Sequence, residues 1–326
     1  MITLPSLLLI FVISFLATLA FVPLAKRLAI RCAALDKPNP RKVHVRPIPL
    51  WGGLGIYFGF MLTLVLAFHF YGGILEHSLA PRTLMHLRGL VIASFGILVV
   101  GLVDDRWGMP AKVKLACQLL MGAVLIAHDI KIDYLTFPHF GEVHFPVWLT
   151  YAITLFWIAG ITNAINLLDG LDGLLAGVSL TTAALFLVVS LMTGQVITAI
   201  VMAALAGSML GFLRYNFNPA QIFMGDTGSL FIGLTFASWS IIGLLKSTAT
   251  FAFAVPVFMM AVPIFDTAAA IVRRTLAGRP IFQADKEHLH HRLLRMGYTQ
   301  RQVVLMIYCI NTAFGLIGLA LYYFTK

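Results

Sequence analysis

The chain has 326 residues, of which 60% are hydrophobic and 11% are charged, and its mean hydropathy is +0.92. Because a soluble domain carries about a quarter charged residues, this composition excludes an ordinary soluble enzyme, a disordered chain and a fibrous chain, and it indicates an integral membrane protein. The net charge of +10 fits the basic cytoplasmic loops of such a protein, so no nucleic-acid partner is expected.

Ten apolar segments of membrane-spanning length follow one another along the chain. They cover approximately residues 3–25, 48–71, 84–103, 111–128, 147–163, 174–193, 195–213, 228–246, 249–273 and 302–323. No internal repeat and no soluble domain interrupts them. We therefore predict an all-α integral membrane protein, a bundle of about ten transmembrane helices that forms a single polytopic domain over residues 1–326.

The loops that follow the odd-numbered segments are strongly basic. They hold 18 of the 23 Lys and Arg residues, which places these loops in the cytoplasm and both termini outside. Most acidic residues fall in the same loops, although the positive-inside rule does not select for them. The pattern favours an active site in cytoplasmic catalytic loops at the inner membrane. On the opposite face, the alternating segment 129–146 predicts a short β-hairpin.

The third segment ends in Asp104-Asp105-Arg106. Two adjacent carboxylates at a membrane edge suit Mg²⁺ binding or general-base chemistry. An Asp-Asp pair by itself, however, is more often simply part of a polar loop exposed to solvent. Lys114, at the start of the fourth segment, is either a phosphate contact or an interfacial anchor whose ammonium group reaches the lipid headgroups.

Four polar residues recur at every third position near the end of the fifth segment: Asn163, Asn166, Asp169 and Asp172. On a helix this spacing gives a curved polar stripe, and two glycines beside it let the backbone approach a ligand. Such groups are costly at the end of an apolar helix unless they are paired or liganded. A binding function is therefore favoured over a simple capping and turn signature.

The segment from Phe223 to Ser229 leads into the eighth apolar segment through Gly-Asp-Thr-Gly-Ser. These residues make a good helix N-cap. They also make a site where backbone N–H groups and the carboxylate of Asp226 can handle phosphate and metal. Because two other acidic clusters are predicted on the same face, we favour metal binding.

The last long loop contains His288, His290, His291 and Arg292. Three close histidines could indicate zinc, but two of them are adjacent and no cysteine or HExxH pattern accompanies them. Binding of an anion such as a diphosphate is favoured, and contact with lipid headgroups is the alternative. The basic loop with Lys42 and His44 is open to the same two interpretations.

Taken together and in this order, these motifs resemble the polyprenyl-phosphate N-acetylhexosamine-1-phosphate transferase family, of the glycosyltransferase 4 type. The resemblance covers nearly the whole chain. It is carried by Asp104-Asp105-Arg106, Asn163-Ala-Ile-Asn166-Leu-Leu-Asp169-Gly-Leu-Asp172-Gly, Gly225-Asp226-Thr-Gly-Ser229 and His288-Leu-His290-His291-Arg292. The histidine segment looks like that of the branch that uses UDP-GlcNAc and undecaprenyl phosphate.

The resemblance implies a membrane enzyme that transfers N-acetylglucosamine 1-phosphate from UDP-GlcNAc to undecaprenyl phosphate at the cytoplasmic face. UMP is released, and the product starts a cell-envelope glycan such as teichoic acid or O-antigen. Mg²⁺ is implied as the cofactor, with Mn²⁺ as a substitute. The family fold is a bundle of about ten helices, usually a homodimer, with a lipid groove beside the active site.

The resemblance also implies residue roles, with Asp104, Asp105 and Asp226 as the catalytic residues. Asp226 and Asn166 match the family's metal-binding positions. Either Asp104 or Asp105 orients or deprotonates the lipid phosphate. The other predicted substrate contacts are Lys114, His290 and Arg292 for the phosphates, Asp172 and Phe223 for the nucleobase, Asp169 for the metal–diphosphate site, and Lys42, His44, Asn163, His288 and His291.

Three alternatives to this function can be compared on the sequence. The same reaction could use another UDP-N-acetylhexosamine donor, because donor contacts are few and lie on loops. A lipid-linked sugar transporter would need polar groups through the bilayer and often repeated halves, and the sequence has neither. An inactive scaffold would have lost some of the acidic positions. The sequence leaves the donor sugar, the downstream glycan and the oligomeric state open.

Overall fold

The computed structural model of the chain describes residues 3–38, 46–75, 80–137, 141–243, 254–278 and 288–325. It is a helical bundle with two very short sheets. The helices are α1 (Leu4–Arg31), α2 (Gly52–Leu75), α3 (Pro81–Trp107), α4 (Ala111–Ala127), α5 (Val147–Leu168), α6 (Leu174–Met192), α7 (Val196–Asn216), α8 (Gly225–Gly243), α9 (Ala254–Met259), α10 (Ala261–Leu276), α11 (Leu289–Arg295) and α12 (Gln300–Thr325). The strands are β1 (Leu35–Asp36), β2 (Ile48–Pro49), β3 (Tyr134–Phe137) and β4 (Gly141–His144).

A helix forms at each of the ten predicted segments, and the ninth segment is split into α9 and α10. Within the described ranges, seven helices are long and apolar enough to cross a membrane: α1, α2, α3, α5, α6, α7 and α12. This confirms an all-α membrane protein. It does not reach the predicted count of about ten spans; α4, for example, has only 17 residues.

The centre of the bundle is formed by α7 and α8, whose residues are buried on nearly every side. A helix that is apolar all round belongs in the interior, whereas α1 and α5 present side chains such as Leu4 and Phe156 outward. Small residues let the backbones of α1 and α7 approach closely. Ser14 Oγ lies 2.6 Å from Ala204 O and 2.7 Å from Ser208 Oγ, a type of contact that joins helices in membranes.

The predicted hairpin in segment 129–146 is confirmed. Strands β3 and β4 pair antiparallel, with Tyr134 opposite His144 and Phe137 opposite Gly141. The other pair, β1 and β2, was not predicted. It joins the end of α1 to the start of α2, where Leu35 lies opposite Pro49, and so it fixes the entry of α2 beside the start of α8.

Candidate active site

The last turn of α3 and the first turn of α8 are joined by one carboxylate. Asp105 accepts hydrogen bonds from the backbone nitrogens of Asp226 (2.8 Å) and Thr227 (3.1 Å) and from the Thr227 hydroxyl (2.6 Å). It therefore acts as the cap of α8. Gly225 has φ +70°, and a Cβ at this position would collide with the Asp105 carboxylate. Only glycine allows the two chain segments to approach so closely.

Four residues from four helix ends form what we call the carboxylate cluster: Asp104, Lys114, Asn166 and Asp226. The Lys114 ammonium bridges the carboxylates of Asp104 and Asp226. The Asn166 amide donates to Asp226 Oδ1 at 2.9 Å and to Ser229 Oγ at 2.8 Å. The structure thus brings together predicted residues that lie up to 122 positions apart in sequence.

Asp169 follows α5 directly and lies beside this cluster. Its carboxylate has no hydrogen bond or ion pair with the described part of the chain, although its neighbours in space include the acids Asp226, Asp105 and Asp172. Burial, together with the negative charge of Asp226, raises the pKa of Asp169 to about 8. An unpartnered acid among other acids is stabilised by any cation that binds there.

The donor set of this region fits Mg²⁺, which prefers carboxylate and other oxygen ligands and keeps several waters. Asp226 supplies a carboxylate, and the side-chain oxygen of Asn166 takes no hydrogen bond within the described residues. The Lys114 ammonium already occupies a position between Asp104 and Asp226, which shows that the cluster attracts positive charge. Among the described residues, no three His, Cys, Asp or Glu side chains are gathered as a preformed metal cage.

Asn163 has partners within the protein for both halves of its amide. Its nitrogen donates to Gln118 Oε1 at 2.6 Å and to Ala159 O at 2.8 Å, and Gln118 Nε2 donates back to Asn163 Oδ1 at 3.3 Å. The pair joins α4 to α5 one turn away from Asn166. Direct contact between Asn163 and a substrate therefore stays a prediction, and the structure gives this side chain a clear role in packing.

The turn between α5 and α6 is joined by hydrogen bonds to the end of α7 and the segment that follows it. Asp172 Oδ2 accepts from Asn218 Nδ2 at 3.0 Å and from the Ala220 backbone at 2.9 Å. The backbone nitrogen of Gly173 donates to Asn216 at 3.0 Å. Phe223, the predicted stacking residue, follows Asn218 and Ala220 in the segment between α7 and α8. It is half-buried, and its backbone nitrogen donates to the Pro49 carbonyl oxygen at 2.8 Å.

The histidine segment is attached to α10 by Asp266. This carboxylate contacts His288 Nδ1 at 2.8 Å and accepts from the Leu289 backbone at 2.9 Å. The next histidine, His290, is 2% exposed, and neither of its ring nitrogens has a partner among the described residues. It lies against Gly170, where an added Cβ would be 2.6 Å from His290 Nε2.

Burial of His290, with the nearby rings of His291 and His288, lowers its pKa to about 4. The imidazole is therefore neutral near pH 7 and can donate one hydrogen bond and accept one. The segment thus brings an unpartnered histidine to the same turn as Asp169.

The remaining predicted contacts are Lys42, His44, Arg292 and His291. Lys42 and His44 lie outside the described residues. Arg292 is exposed, and its side chain makes no hydrogen bond or ion pair with the described ranges. His291 packs on His290 with ring centroids 4.2 Å apart, so it supports that ring.

Sequence reasoning assigned no role to two polar residues that hold the site together. Gln118 holds Asn163, and Asp266 holds His288. Both stand within apolar helical segments, where a polar side chain is costly without a partner. That cost was the available signal, but the sequence does not say which distant residue is the partner.

Comparison with known proteins identifies one matching family model. Residues 87–244 match the model of glycosyl transferase family 4. This range contains the carboxylate cluster, Asp169 and Asp172, and it leaves the histidine segment outside.

Similar proteins extend the match to almost the whole chain. A probable undecaprenyl-phosphate N-acetylglucosaminyl 1-phosphate transferase of Bacillus subtilis is 40% identical, over 95% of this chain and 84% of its own length. A decaprenyl-phosphate N-acetylglucosaminephosphotransferase of Mycolicibacterium smegmatis is 39% identical, over 86% of this chain and 73% of its own. The undecaprenyl-phosphate alpha-N-acetylglucosaminyl 1-phosphate transferase of Escherichia coli K12 is 30% identical, over 90% of this chain and 78% of its own.

Proposed function

The chain belongs to glycosyl transferase family 4, and from this premise we propose that it transfers N-acetylglucosamine 1-phosphate from UDP-GlcNAc to undecaprenyl phosphate, with release of UMP. Membership confirms the family resemblance carried by the sequence motifs, and the protein is a transferase embedded in a membrane. The relatives are named as transferases, which disfavours the transporter hypothesis.

The observation that carries the proposal is the carboxylate cluster. Two acids, one lysine and one amide converge where α3, α4, α5 and α8 meet. Both proposed substrates are anions and repel each other. A site for their reaction must therefore neutralise charge on the attacking phosphate, on the diphosphate and on the leaving UMP.

We assign the metal position to Asp226 and Asn166, with Asp169 beside it. Mg²⁺ bound there would neutralise charge on the diphosphate and on the leaving nucleotide. The unpartnered carboxylate of Asp169 and the convergence of Asp104 and Asp226 on one ammonium support this assignment. Mn²⁺ is the expected substitute, because it accepts the same oxygen ligands.

Asp104 is the acid that we assign to the lipid phosphate. Asp105 already accepts three hydrogen bonds from the start of α8, whereas Asp104 is bound to Lys114, which can hold a phosphate. The second pKa of a phosphate monoester is about 6, so its oxygen is largely ionised at pH 7. Asp104 therefore acts mainly by positioning the phosphate through Lys114.

The reaction then needs no covalent enzyme intermediate. An oxygen of the lipid phosphate attacks the sugar-bearing phosphorus of the donor, and the bond between this phosphorus and the bridging oxygen breaks. The electron pair leaves with UMP. We propose that Asp172 and Phe223 contact the nucleobase and that His290, whose ring nitrogens have no partner among the described residues, donates its one N–H to the diphosphate.

The finer topology is part of the same proposal. We infer ten spans, with α4, α8 and the α9–α10 pair added to the seven long apolar helices, and both termini outside the inner membrane. The distribution of basic residues supports a cytoplasmic active site. A homodimer and a role in teichoic acid or O-antigen synthesis are likewise proposals, supported by the family resemblance.

The test is UMP release by purified protein in detergent with undecaprenyl phosphate, Mg²⁺ and UDP-GlcNAc. We expect release that needs both lipid and metal and that is fastest with UDP-GlcNAc among UDP-N-acetylhexosamines. Faster release with a different donor would keep the reaction and replace the donor. No release with any donor, from folded protein, would overturn the proposal.

The metal assignment has its own readout. Asp226→Asn is expected to weaken Mn²⁺ binding, measured by electron paramagnetic resonance, and to nearly abolish turnover. The matched control is Asp129→Asn, since Asp129 pairs with Arg82 at the opposite end of the bundle. Unchanged Mn²⁺ binding in Asp226→Asn would contradict the assignment.

A further inference from the structure

A cavity lies in the half of the bundle that is remote from the carboxylate cluster. It is a groove of about 660 Å³ with walls from α2 and α3 and a floor from α8. Its residue nearest to the cluster along α3 is Ser94, ten positions before Asp104, or about 15 Å along the helix. The groove is therefore separate from the proposed transferase site, and this inference does not rest on the proposed function.

The groove is almost wholly apolar and opens sideways. Phe60, Phe68, Phe231 and Trp239 form much of its surface. On its rim, Val65 is 65% exposed and Val91 is 53% exposed. Because α2 and α3 have long apolar sequences that can cross a membrane, this opening faces the hydrocarbon of the bilayer.

One permanently charged side chain, Arg88, lies among the described residues that line the groove. It makes no hydrogen bond or ion pair with the described part of the protein, whereas Arg82 on the same helix binds Asp129 at 2.7 Å. A cation inside a membrane-spanning helix normally pairs with an anion or extends to the interface. His128 also lines the groove, and its Nδ1 contacts Val124 O at 2.8 Å, which leaves Nε2 for another group.

The length of the groove fits one leaflet. Along α3 its lining runs from Leu84 to Ser94, which is about 15 Å of helix and about half of a hydrocarbon core roughly 30 Å thick. A smaller cavity of about 200 Å³ shares Leu87 and Trp239 with it and adds the polar side chains of Gln195 and Thr198. The apolar groove therefore has one cation on its α3 wall and adjoins a smaller cavity with polar side chains.

We propose that this groove binds an anionic phospholipid from the leaflet away from the carboxylate cluster. One acyl chain occupies the groove between α2 and α3, and the phosphate binds Arg88. A neutral amphiphile would leave this cation without a counter-ion. A helix from a second copy of the chain is about 10 Å wide with its side chains, so it would cover the opening of the groove and leave the interior empty.

The test measures which lipid stays bound. The wild type and Arg88→Gln are reconstituted in vesicles that contain equal amounts of phosphatidylglycerol and phosphatidylcholine, and they are then extracted in mild detergent. Native mass spectrometry identifies the lipids that remain bound. We expect the wild type to retain phosphatidylglycerol preferentially. Loss of a charge-assisted hydrogen bond should lower this preference about tenfold in Arg88→Gln. Arg82→Gln, the matched control outside the groove, should retain the wild-type preference.

A second pair of variants tests the groove itself and keeps the proposal falsifiable if Arg88→Gln does not fold. Val91→Trp fills the groove and should lower lipid retention. Val99→Trp, at a similarly exposed position of α3 outside the groove, should not. Size-exclusion chromatography reports whether each variant is folded and monodisperse.

Three results would overturn the proposal. The first is equal retention of both lipids by the wild type. The second is seen when undecaprenyl phosphate is added to the same vesicles: it is retained in place of phospholipid, and its retention depends on Arg88. The third is efficient disulfide cross-linking between two copies of Val65→Cys in vesicles, which would assign the groove to a protein interface.

Discussion

The Asp105 carboxylate accepts hydrogen bonds from both the hydroxyl (2.6 Å) and the backbone nitrogen (3.1 Å) of Thr227. The end of α3 therefore caps the start of α8. This contact separates two adjacent acids that are equivalent in the sequence. Asp105 holds the helix end that carries Asp226, and Asp104 is left to bind Lys114.

Asp105→Ala should lower the free energy of unfolding by about 1–2 kcal/mol, because the first turn of α8 loses its cap. Asp104→Ala should have a smaller effect on stability and a large effect on turnover. Thermal unfolding in detergent and UMP release measure the two effects. Equal destabilisation by both changes would show that the cap is not what distinguishes these acids.

Lys114→Gln should reduce the half-saturating Mg²⁺ concentration severalfold while it lowers kcat by about 100-fold. The ammonium group neutralises Asp104 and Asp226, so its removal leaves more negative charge for the metal and no cation for the phosphate. A Mg²⁺ titration of UMP release separates the two quantities. Lys112→Gln, two residues earlier in the same turn of α4, is the control. A rise in the half-saturating concentration would argue against competition between lysine and metal.

The pH dependence of stability should reveal the buried imidazole of His290. Its pKa is about 4 in the folded protein and about 6.5 when unfolded. Between these values the unfolded state binds a proton that the folded state does not, so stability falls as the pH is lowered from about 6.5 towards 4. The largest possible contribution is about 3 kcal/mol.

His290→Gln should flatten this pH dependence, whatever it does to stability at pH 7. His144→Gln serves as the control, because His144 has an exposed side chain on the hairpin. Thermal unfolding across this pH range is the measurement. An identical slope in the wild type and His290→Gln would contradict the burial of a neutral ring at this position.

The pair formed by Asn163 and Gln118 can be tested with a double-mutant cycle. If the reciprocal amide contacts hold α4 against α5, Asn163→Ala and Gln118→Ala should be non-additive by about 0.5–1.5 kcal/mol. Both should then change KM for the UDP-sugar to a similar extent. A rise in KM for Asn163→Ala alone would instead support direct substrate contact.

Hydropathy and local signals predicted the long helices, the hairpin of β3 and β4 and a set of candidate site residues. Apolar runs predicted a helix in each of the ten segments, and alternation predicted the pairing of β3 with β4. The polar stripe ending at Asp172 was recognisable because uncompensated polar groups are costly beside a membrane. These are properties of short stretches of chain, and a sequence displays them directly.

The sequence by itself thus determined the class of protein, its family motifs and the set of polar residues available for chemistry. Only the tertiary structure decided how those residues are used. Consecutive residues on a helix point about 100° apart, so Asp104 and Asp105 face different neighbours. Those neighbours, Lys114, Thr227 and Asp226, belong to other helices. His288 likewise contacts Asp266, which lies 22 positions earlier in the sequence. Such partners are set by the packing of whole helices, which no local pattern specifies.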